Sequence, residues 1–163
     1  MSGGYNIEEV LEMACQIERN GARYYRRAAD LVTGPRARKL LLELAAMEED
    51  HERTFDTLRA DAATRSILLG DRDDLVAQYL RALADGHVFR RQESPAETIQ
   101  PGITERQVLE IALSMERESI AFYLGIRDGM PQSPGRDKVA LIIREEMRHV
   151  TMLSNYLSEL VRG

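Results

Sequence analysis

The sequence of 163 residues contains no tryptophan, three phenylalanines and a single cysteine, Cys15. One cysteine cannot form an intrachain disulfide or a Cys-x-x-Cys thiolate metal site. No apolar run approaches the roughly 18 residues that a membrane span requires. The first residues have neither the basic nor the apolar segment of a signal peptide. The sequence therefore predicts a cytoplasmic protein with no membrane partner.

The charge balance lacks the basic excess that is normal for a nucleic-acid-binding surface. Lys and Arg number 22 against 27 Asp and Glu, which gives a net charge of −5 at pH 7. Hydrophobic residues make up 44% of the chain and aromatic residues 6%, a composition that suits a globular helical protein. We therefore expect no nucleic-acid partner, and a single domain over residues 1–163 that has a sizeable core.

Four long segments have helical periodicity and are separated by glycine and proline. Asn6 is a suitable N-cap for the first, and Thr104 with Gln107 forms a capping box for the third. Pro35 and Pro134, the latter after an N-cap serine, suit the first turns of the second and fourth. We expect helices over residues 6–32, 35–62, 104–128 and 134–162.

About forty residues, 63–103, separate the second helix from the third. A short amphipathic helix is expected there from Leu75, Val76, Tyr79, Leu80 and Leu83. The alternative, a linker between separate hairpins, would leave the apolar stripe of each hairpin unburied. One long crossover between two helical hairpins is the connection of ferritin-like bundles. The sequence thus predicts an all-α, ferritin-like antiparallel four-helix bundle with hairpins 6–62 and 104–161.

The two hairpins repeat one pattern at an offset of 98 residues, from Glu18 to Glu116. The same offset relates Glu48 to Glu146 and the histidine three residues after each of them. Seven identities fall in a sixteen-residue window of the first helix of each hairpin: Val10, Leu11, Glu12, Ala14, Glu18, Arg19 and Tyr25 recur as Val108, Leu109, Glu110, Ala112, Glu116, Arg117 and Tyr123. The chain is therefore interpreted as a duplicated hairpin in which each copy carries half of a site.

A glutamate lies in the middle of the core-facing stripe of every long helix, and two stripes add a histidine. The six residues are Glu18, Glu48, His51, Glu116, Glu146 and His149. A buried ionised carboxylate without a partner costs several kcal/mol, and four together repel one another. Two divalent cations would neutralise four carboxylates and two neutral imidazoles. A metal-free polar network would need protonated acids and hydrogen-bond donors, which the stripes do not obviously provide.

The donor set consists of carboxylates and imidazoles without a thiolate, which favours iron or manganese over a structural zinc site. One Glu from each of two helices and a Glu-x-x-His pair from each of the others is the layout of di-iron bundles. We predict that the site binds two iron ions and that manganese or zinc can be loaded in their place. All six residues are predicted ligands and catalytic residues.

Small and aromatic residues lie near the predicted ligands on the same stripes. Tyr25 and Tyr123 follow Glu18 and Glu116 by two turns, either as donors to ligand carboxylates or as ordinary core aromatics. Ser119, like Gly21, either leaves room for an oxygen species or permits close packing. Two further groups are expected to play no part in the site: core-filling Met47, Met115, Met147 and Met152, and solvated Glu12, Glu49, Glu110, Glu118 and Glu145.

The chain resembles the rubrerythrin and ferritin-like family over nearly its whole length. The motifs are Ile-Glu-Arg-Asn-Gly-Ala-Arg-Tyr-Tyr around Glu18, Glu-Glu-Asp-His at 48–51, Met-Glu-Arg-Glu-Ser-Ile-Ala-Phe-Tyr around Glu116 and Glu-Glu-Met-Arg-His at 145–149. The resemblance implies a di-iron centre that reacts with hydrogen peroxide or dioxygen. It also implies bridging roles for Glu48 and Glu146 and terminal roles for Glu18, Glu116, His51 and His149.

Two features depart from that family. The two Cys-x-x-Cys pairs of a rubredoxin-like module do not occur in the sequence, so a separate rubredoxin-like electron donor is expected. Ser119 occupies the position where many rubrerythrins have an additional glutamate, which leaves a symmetrical six-ligand set like that of bacterioferritin ferroxidase centres.

Three functions therefore remain open, and we expect a homodimer for the first. The leading prediction is a rubrerythrin-type di-iron oxidoreductase that removes peroxide. The second is a ferroxidase for iron storage, and the third is a regulatory or structural bundle that its metals stabilise.

Overall fold

The computed structural model describes residues 6–65, 74–84 and 94–163. In these ranges the chain is helical and contains no strand. The elements are α1 (Ile7–Leu31), α2 (Pro35–Ala60), α3 (Ala62–Arg65), α4 (Leu75–Leu83), α5 (Pro95–Thr98), α6 (Glu105–Gly129) and α7 (Pro134–Arg162). The four predicted long helices are confirmed as α1, α2, α6 and α7. No helix in the described ranges combines the length and apolarity that crossing a bilayer requires.

The helices begin where local sequence signals place them. The Asn6 side chain accepts from the Glu9 backbone N–H, and the Glu9 side chain accepts from that of Asn6. Thr104 and Gln107 form the same reciprocal capping box at the start of α6. Such side chains satisfy backbone donors that have no partner within the helix. The predicted caps at Asn6, Thr104 and Ser133 are confirmed.

The apolar core is divided into two clusters, and the predicted ligands of each helix lie between them. Along α1 the stripe passes from Leu11 in one cluster to Ala28 in the other, and along α2 it passes the opposite way. The stripe of α6 runs like that of α2, and the stripe of α7 runs like that of α1. Because α2 and α6 are thus parallel, the chain must return along the length of the bundle between them. This is the physical reason for the long crossover.

The crossover contains the predicted short helix, α4, which packs against α6. Leu80 is buried there, and the Tyr79 hydroxyl donates to the backbone carbonyl of Ala121 at 2.8 Å. Two further short helices, α3 and α5, were not predicted from the sequence, and α5 packs against α1. His87 follows α4 in the sequence, and as a lone histidine without a glutamate three residues earlier it is predicted to be structural or exposed; it lies outside the described residues.

The prediction that four methionines fill the core is wrong for two of them. Met47 and Met147 are 40% and 49% exposed. Each is the immediate neighbour of a core glutamate, so the helical rotation of one residue turns it away from the bundle axis. Met115 and Met152 are partly buried against the core.

Candidate metal centre

The six predicted ligands come together in the middle of the bundle, and each is no more than 4% exposed. They form two overlapping groups, in each of which one ligand atom per residue lies within 4.8 Å of the others. One group contains Glu18, Glu48, His51 and Glu146, and the other contains Glu48, Glu116, Glu146 and His149. Two residues, Glu48 and Glu146, belong to both groups.

The Nδ1 atoms of both histidines face the carboxylates. The Nδ1 of His51 lies 2.7 Å from Oε1 of Glu146 and 3.6 Å from Oε2 of Glu18. The Nδ1 of His149 lies 3.3 Å from Oε1 of Glu48 and 3.5 Å from Oε1 of Glu116. The two imidazole rings stack at a centroid distance of 5.5 Å, with 20° between their planes. Each histidine therefore turns one nitrogen toward the centre and the other away from it.

Several buried polar atoms of the cluster make no hydrogen bond despite this proximity. They are Oε2 of Glu18, Oε1 of Glu48, Oε1 of Glu146 and the Nδ1 atoms of His51 and His149. Buried polar groups in proteins are nearly always hydrogen bonded, so five such atoms in one cluster need another partner. Carboxylate oxygen and imidazole nitrogen are suitable donors for divalent first-row metals. The cluster therefore fits two such ions, although the ligand role of each residue stays a prediction.

Burial and mutual repulsion shift two carboxyl groups of the cluster, those of Glu48 and Glu146, toward their protonated forms. Burial raises the pKa of Glu48 well above its ordinary value, and the charges of Glu18 and Glu146 add to the effect. Burial and the Glu18 charge likewise raise the pKa of Glu146 to about 8. Burial would also raise the pKa of Glu116, but its interactions with Glu146 and His149 lower it below its ordinary value.

The histidines are shifted toward their charged forms by the same carboxylates. Burial would lower the pKa of His51, but the nearby carboxylates of Glu146 and Glu18 raise it to about 11. The pKa of His149 rises to about 9 because the interactions with Glu116 and Glu146 exceed the opposing effect of burial. Protons can thus balance the charge of the cluster, and divalent ions would replace them on binding.

The two predicted tyrosines cross between the hairpins. The Tyr123 hydroxyl donates to Oε1 of Glu18 at 2.5 Å, and the Tyr25 hydroxyl donates to Oε1 of Glu116. Burial, followed by the neighbouring carboxylates, raises both phenol pKa values well above the ordinary value, so both groups remain donors. The structure therefore supports the hydrogen-bonding interpretation of these tyrosines. It also shows that the expectation of missing donors was wrong.

The small residues beside the cluster have different surroundings. A Cβ atom at Gly21 would lie 3.4 Å from Cγ of Glu48, an ordinary contact distance, so the Glu48 side chain lies against α1 at this position. The Ser119 hydroxyl donates to the Met115 carbonyl at 2.8 Å, one turn back along α6. The glycine therefore adjoins a predicted ligand, whereas the serine hydroxyl is engaged by its own helix.

Sequence reasoning missed two residues that contact the outer nitrogens of the histidines. Oε2 of Glu145, predicted to be solvated, lies 2.7 Å from Nε2 of His51. The Met47 sulfur lies 3.1 Å from Nε2 of His149. Both contacts join α2 to α7, so no periodicity within one helix reveals them. The 98-residue offset also relates position 47 to position 145, and this equivalence was the available signal.

Comparisons with known proteins agree with this architecture. The family model described as Rubrerythrin matches residues 9–157. A solved structure from Thermotoga maritima, provisionally described as a ferritin-like diiron-carboxylate protein, has a TM-score of 0.70 and 24% sequence identity. The alignment covers 96% of this chain and 97% of the Thermotoga maritima chain. No curated protein matches the sequence. The predicted all-α, ferritin-like fold is confirmed.

Proposed function

Because the chain belongs to the rubrerythrin family, we propose that it is a di-iron oxidoreductase that hydrogen peroxide or dioxygen oxidises. Members of this family generally bind a di-iron centre and act as oxidoreductases. The observation that carries the proposal is the pair of overlapping, buried carboxylate and histidine groups. Peroxide detoxification would require two electrons and two protons for each hydrogen peroxide, which is reduced to two water molecules.

The two groups suggest how six residues would divide between two ions. Glu18 and His51 would hold one ion, Glu116 and His149 would hold the other, and Glu48 with Glu146 would bridge them. Two iron ions at these positions would supply one electron each. The same oxygen and nitrogen donors also suit manganese or zinc, so the loaded metal requires direct analysis.

The tyrosine hydroxyls would orient the two terminal carboxylates. The Tyr123 proton engages Oε1 of Glu18 and leaves Oε2 without a hydrogen-bond partner. One carboxylate oxygen is therefore fixed by the protein while the other remains free for an ion. The tyrosine holds its proton because its pKa is raised by burial and by nearby carboxylates.

Apolar residues on both sides of the cluster would limit access of bulk water. On one side, Phe55 and Tyr123 belong to the same core cluster, and their ring centroids are 4.9 Å apart. On the other side, Leu44 and Leu153 belong to the second core cluster. In such surroundings, interactions between ions and carboxylates are stronger than in water. This arrangement favours retention of the ions during a change of oxidation state.

Electrons would come from a separate donor such as a rubredoxin-like protein. The one cysteine of this chain, Cys15, is buried, and it cannot supply the several thiolates that such an iron site requires. We therefore expect one rapid oxidation of the reduced protein, after which turnover stops until a donor is added.

A ferroxidase is the second candidate, and Ser119 favours it. The serine occupies the position of the additional glutamate found in many rubrerythrins, and its hydroxyl is engaged by the α6 backbone. The six-residue set is then symmetrical between the hairpins. A symmetrical set is expected to exchange ligands less readily on reduction, which would weaken the preference for peroxide over dioxygen.

We also propose that two chains associate as a homodimer instead of a hollow shell. Leu141 and Met147 of α7 expose large apolar side chains, which a second copy can cover. Light scattering on the iron-loaded protein should give a mass of about two chains. A particle of many subunits would contradict this proposal and favour iron storage.

The function is tested by loading the chain anaerobically with ferrous iron and mixing it with each oxidant in a stopped-flow instrument. Two ferrous ions per chain should be oxidised in one fast phase by peroxide, and a rubredoxin with its reductase should restore turnover. Accumulation of far more than two ferric ions per chain would instead indicate a ferroxidase for storage. Two bound ions that neither oxidant oxidises would indicate a regulatory or structural bundle.

A further inference from the structure

The outer nitrogens of the two histidines have chemically different partners. A neutral imidazole that presents Nδ1 to a metal carries its proton on Nε2 and donates from there. The Nε2 of His51 faces a Glu145 carboxylate oxygen at 2.7 Å, whereas the Nε2 of His149 faces the Met47 sulfur at 3.1 Å. A carboxylate is a strong, charge-assisted acceptor, and a thioether is a weak one.

This difference breaks an otherwise close symmetry. The 98-residue offset that relates the ligands also places Met47 opposite Glu145. The tyrosine contacts, by contrast, are reciprocal: each hairpin donates one phenol to the terminal glutamate of the other. The two metal positions thus share the same ligand types and the same phenol donors, and they differ in what holds the histidine.

We propose that Glu145 is a positioning residue for His51 and that, with Met47 beside His149, it makes the two metal positions unequal. The position at His51 binds its ion more tightly, and the position at His149 fills second and empties first. The proposal rests on the proposed di-metal function. A carboxylate on the outer nitrogen fixes the tautomer and ring orientation of a ligand histidine and makes it more basic.

The expected difference in metal affinity between the two positions can be judged from hydrogen-bond partners of ligand histidines in other proteins. Loss of such a partner typically reduces metal affinity about 10- to 100-fold. The Glu145 side chain is 48% exposed, and water weakens its interaction with His51. We therefore expect a difference near the lower end, about tenfold. The two ions would share Glu48 and Glu146, so their repulsion also separates the binding steps. Comparison of variants, instead of the wild-type value alone, removes that contribution.

The experiment titrates Co²⁺ into metal-depleted full-length protein and follows the cobalt absorption bands together with calorimetry. The wild type should bind two ions in two resolved steps. Glu145→Met should weaken binding in the first step about tenfold, and Met47→Glu should strengthen binding in the second step. Each substitution should therefore reduce the difference between the two dissociation constants. Met47→Gln, which supplies a neutral oxygen acceptor, should give part of the same gain and separates hydrogen bonding from added charge.

Glu118→Met is the matched control, because it removes the same charge from an exposed position on α6. It should leave both steps unchanged. Two ions that bind normally in every variant, with an unchanged gap between the steps, would overturn the inference and leave the proposed function standing. Failure of the wild type to bind two Co²⁺ ions would instead count against the proposed function itself.

Discussion

At the residue scale, burial is what distinguishes the four glutamates predicted to be ligands from the many others. Glu116 is buried among carboxylates and a histidine, whereas Glu118, two positions later, is exposed on the same helix. Two residues correspond to a rotation of about 200° around a helix. The same side chain can therefore be a metal ligand at one position and a solvated surface group at the other.

Alanine substitutions at the ligand positions test this distinction. We expect Glu18→Ala, Glu116→Ala, His51→Ala and His149→Ala each to lower iron binding, because each removes one donor from a buried site. Glu118→Ala should bind iron like the wild type. Iron content and the ferric absorption band of each purified variant measure the effect. Equal losses for Glu116→Ala and Glu118→Ala would refute the proposed ligand set.

The pH dependence of stability should reveal the titrating groups of the cluster. The pKa of Glu146 rises from 4.5 to about 8, and those of His51 and His149 rise from 6.5 to about 11 and about 9. Between the ordinary and raised values the folded chain holds more protons than the unfolded chain, so stability falls as pH rises. Metal-depleted protein should therefore melt at progressively lower temperature from about pH 5 to about pH 9.

Scanning calorimetry on the metal-depleted and metal-loaded forms provides the measurement. The loaded form should not follow this trend, because its ligands are already deprotonated and metal affinity increases with pH. A metal-depleted form that gains stability across the same interval would show that these groups do not hold their protons in the folded state.

At the element scale, contact between α4 and α6 depends on the absence of a side chain at Gly125. A Cβ atom there would lie 2.8 Å from Cδ2 of Leu80 and 2.9 Å from Cδ1 of Tyr79. The Tyr79 ring cannot move freely, because its hydroxyl is bonded to the Ala121 carbonyl. The crossover helix is therefore held at one place along α6.

Gly125→Ala is expected to destabilise the protein. Alanine gains about 1 kcal/mol of helix propensity over glycine, but overpacking of a tight contact costs about 1–3 kcal/mol, and the second effect should exceed the first. Gly21→Ala is the matched comparison, since its Cβ would meet Glu48 at an ordinary 3.4 Å. Urea unfolding of both variants in the same metal state gives the comparison. A more stable Gly125→Ala variant would show that α4 moves aside.

The long helices could be predicted because their signals are local. The caps at Asn6 and Thr104 and the spacing of apolar residues depend on neighbours within a few positions. The short α3 and α5 have only four residues each, too few for a periodic pattern. The contact of Glu145 with His51 depends on the relative placement of α2 and α7, which tertiary packing sets.

The candidate site could be predicted as a set of residues but not as a geometry. The repeated spacing of glutamate and histidine identified the six residues that the structure brings together. It could not show which carboxylates occupy the shared position, because that depends on how four helices face one another. The exposure of Met47 was missed for a different reason: its apolar side chain suggested the core, but its position next to Glu48 on α2 turns it away from the bundle axis.

At the scale of the whole molecule, the predicted ligands connect both hairpins at one level of the bundle. Each overlapping group contains residues from α1 or α6 together with residues from α2 and α7. Ions bound there would therefore act as a link between segments that are far apart in the sequence. A ligand that binds only the folded state stabilises it, by about 2.7 kcal/mol at a concentration one hundred times its Kd.

Removal of the metals should therefore lower the melting temperature. The double variant Glu48→Gln with Glu146→Gln should partly restore the stability of the metal-depleted form. Burial raises the pKa values of both acids, so folding requires them to take up protons, and a glutamine of similar volume removes that cost. Thermal unfolding followed by circular dichroism, with and without a chelator, measures both effects. Metal-depleted protein that melts as high as the loaded form would show that the ions contribute nothing to the fold.

The reciprocal phenol contacts bear on the independence of the two halves during evolution. If the site were formed by two identical copies of a single hairpin chain, every substitution in its gene would alter both half-sites at once. A single chain with two copies lacks this constraint, so position 47 can hold methionine while position 145 holds glutamate. Tyr25 and Tyr123 each serve the opposite copy, so loss of either phenol harms a half-site that its own copy does not contain. This mutual dependence agrees with the sequence, in which both copies have the tyrosine while positions 47 and 145 differ.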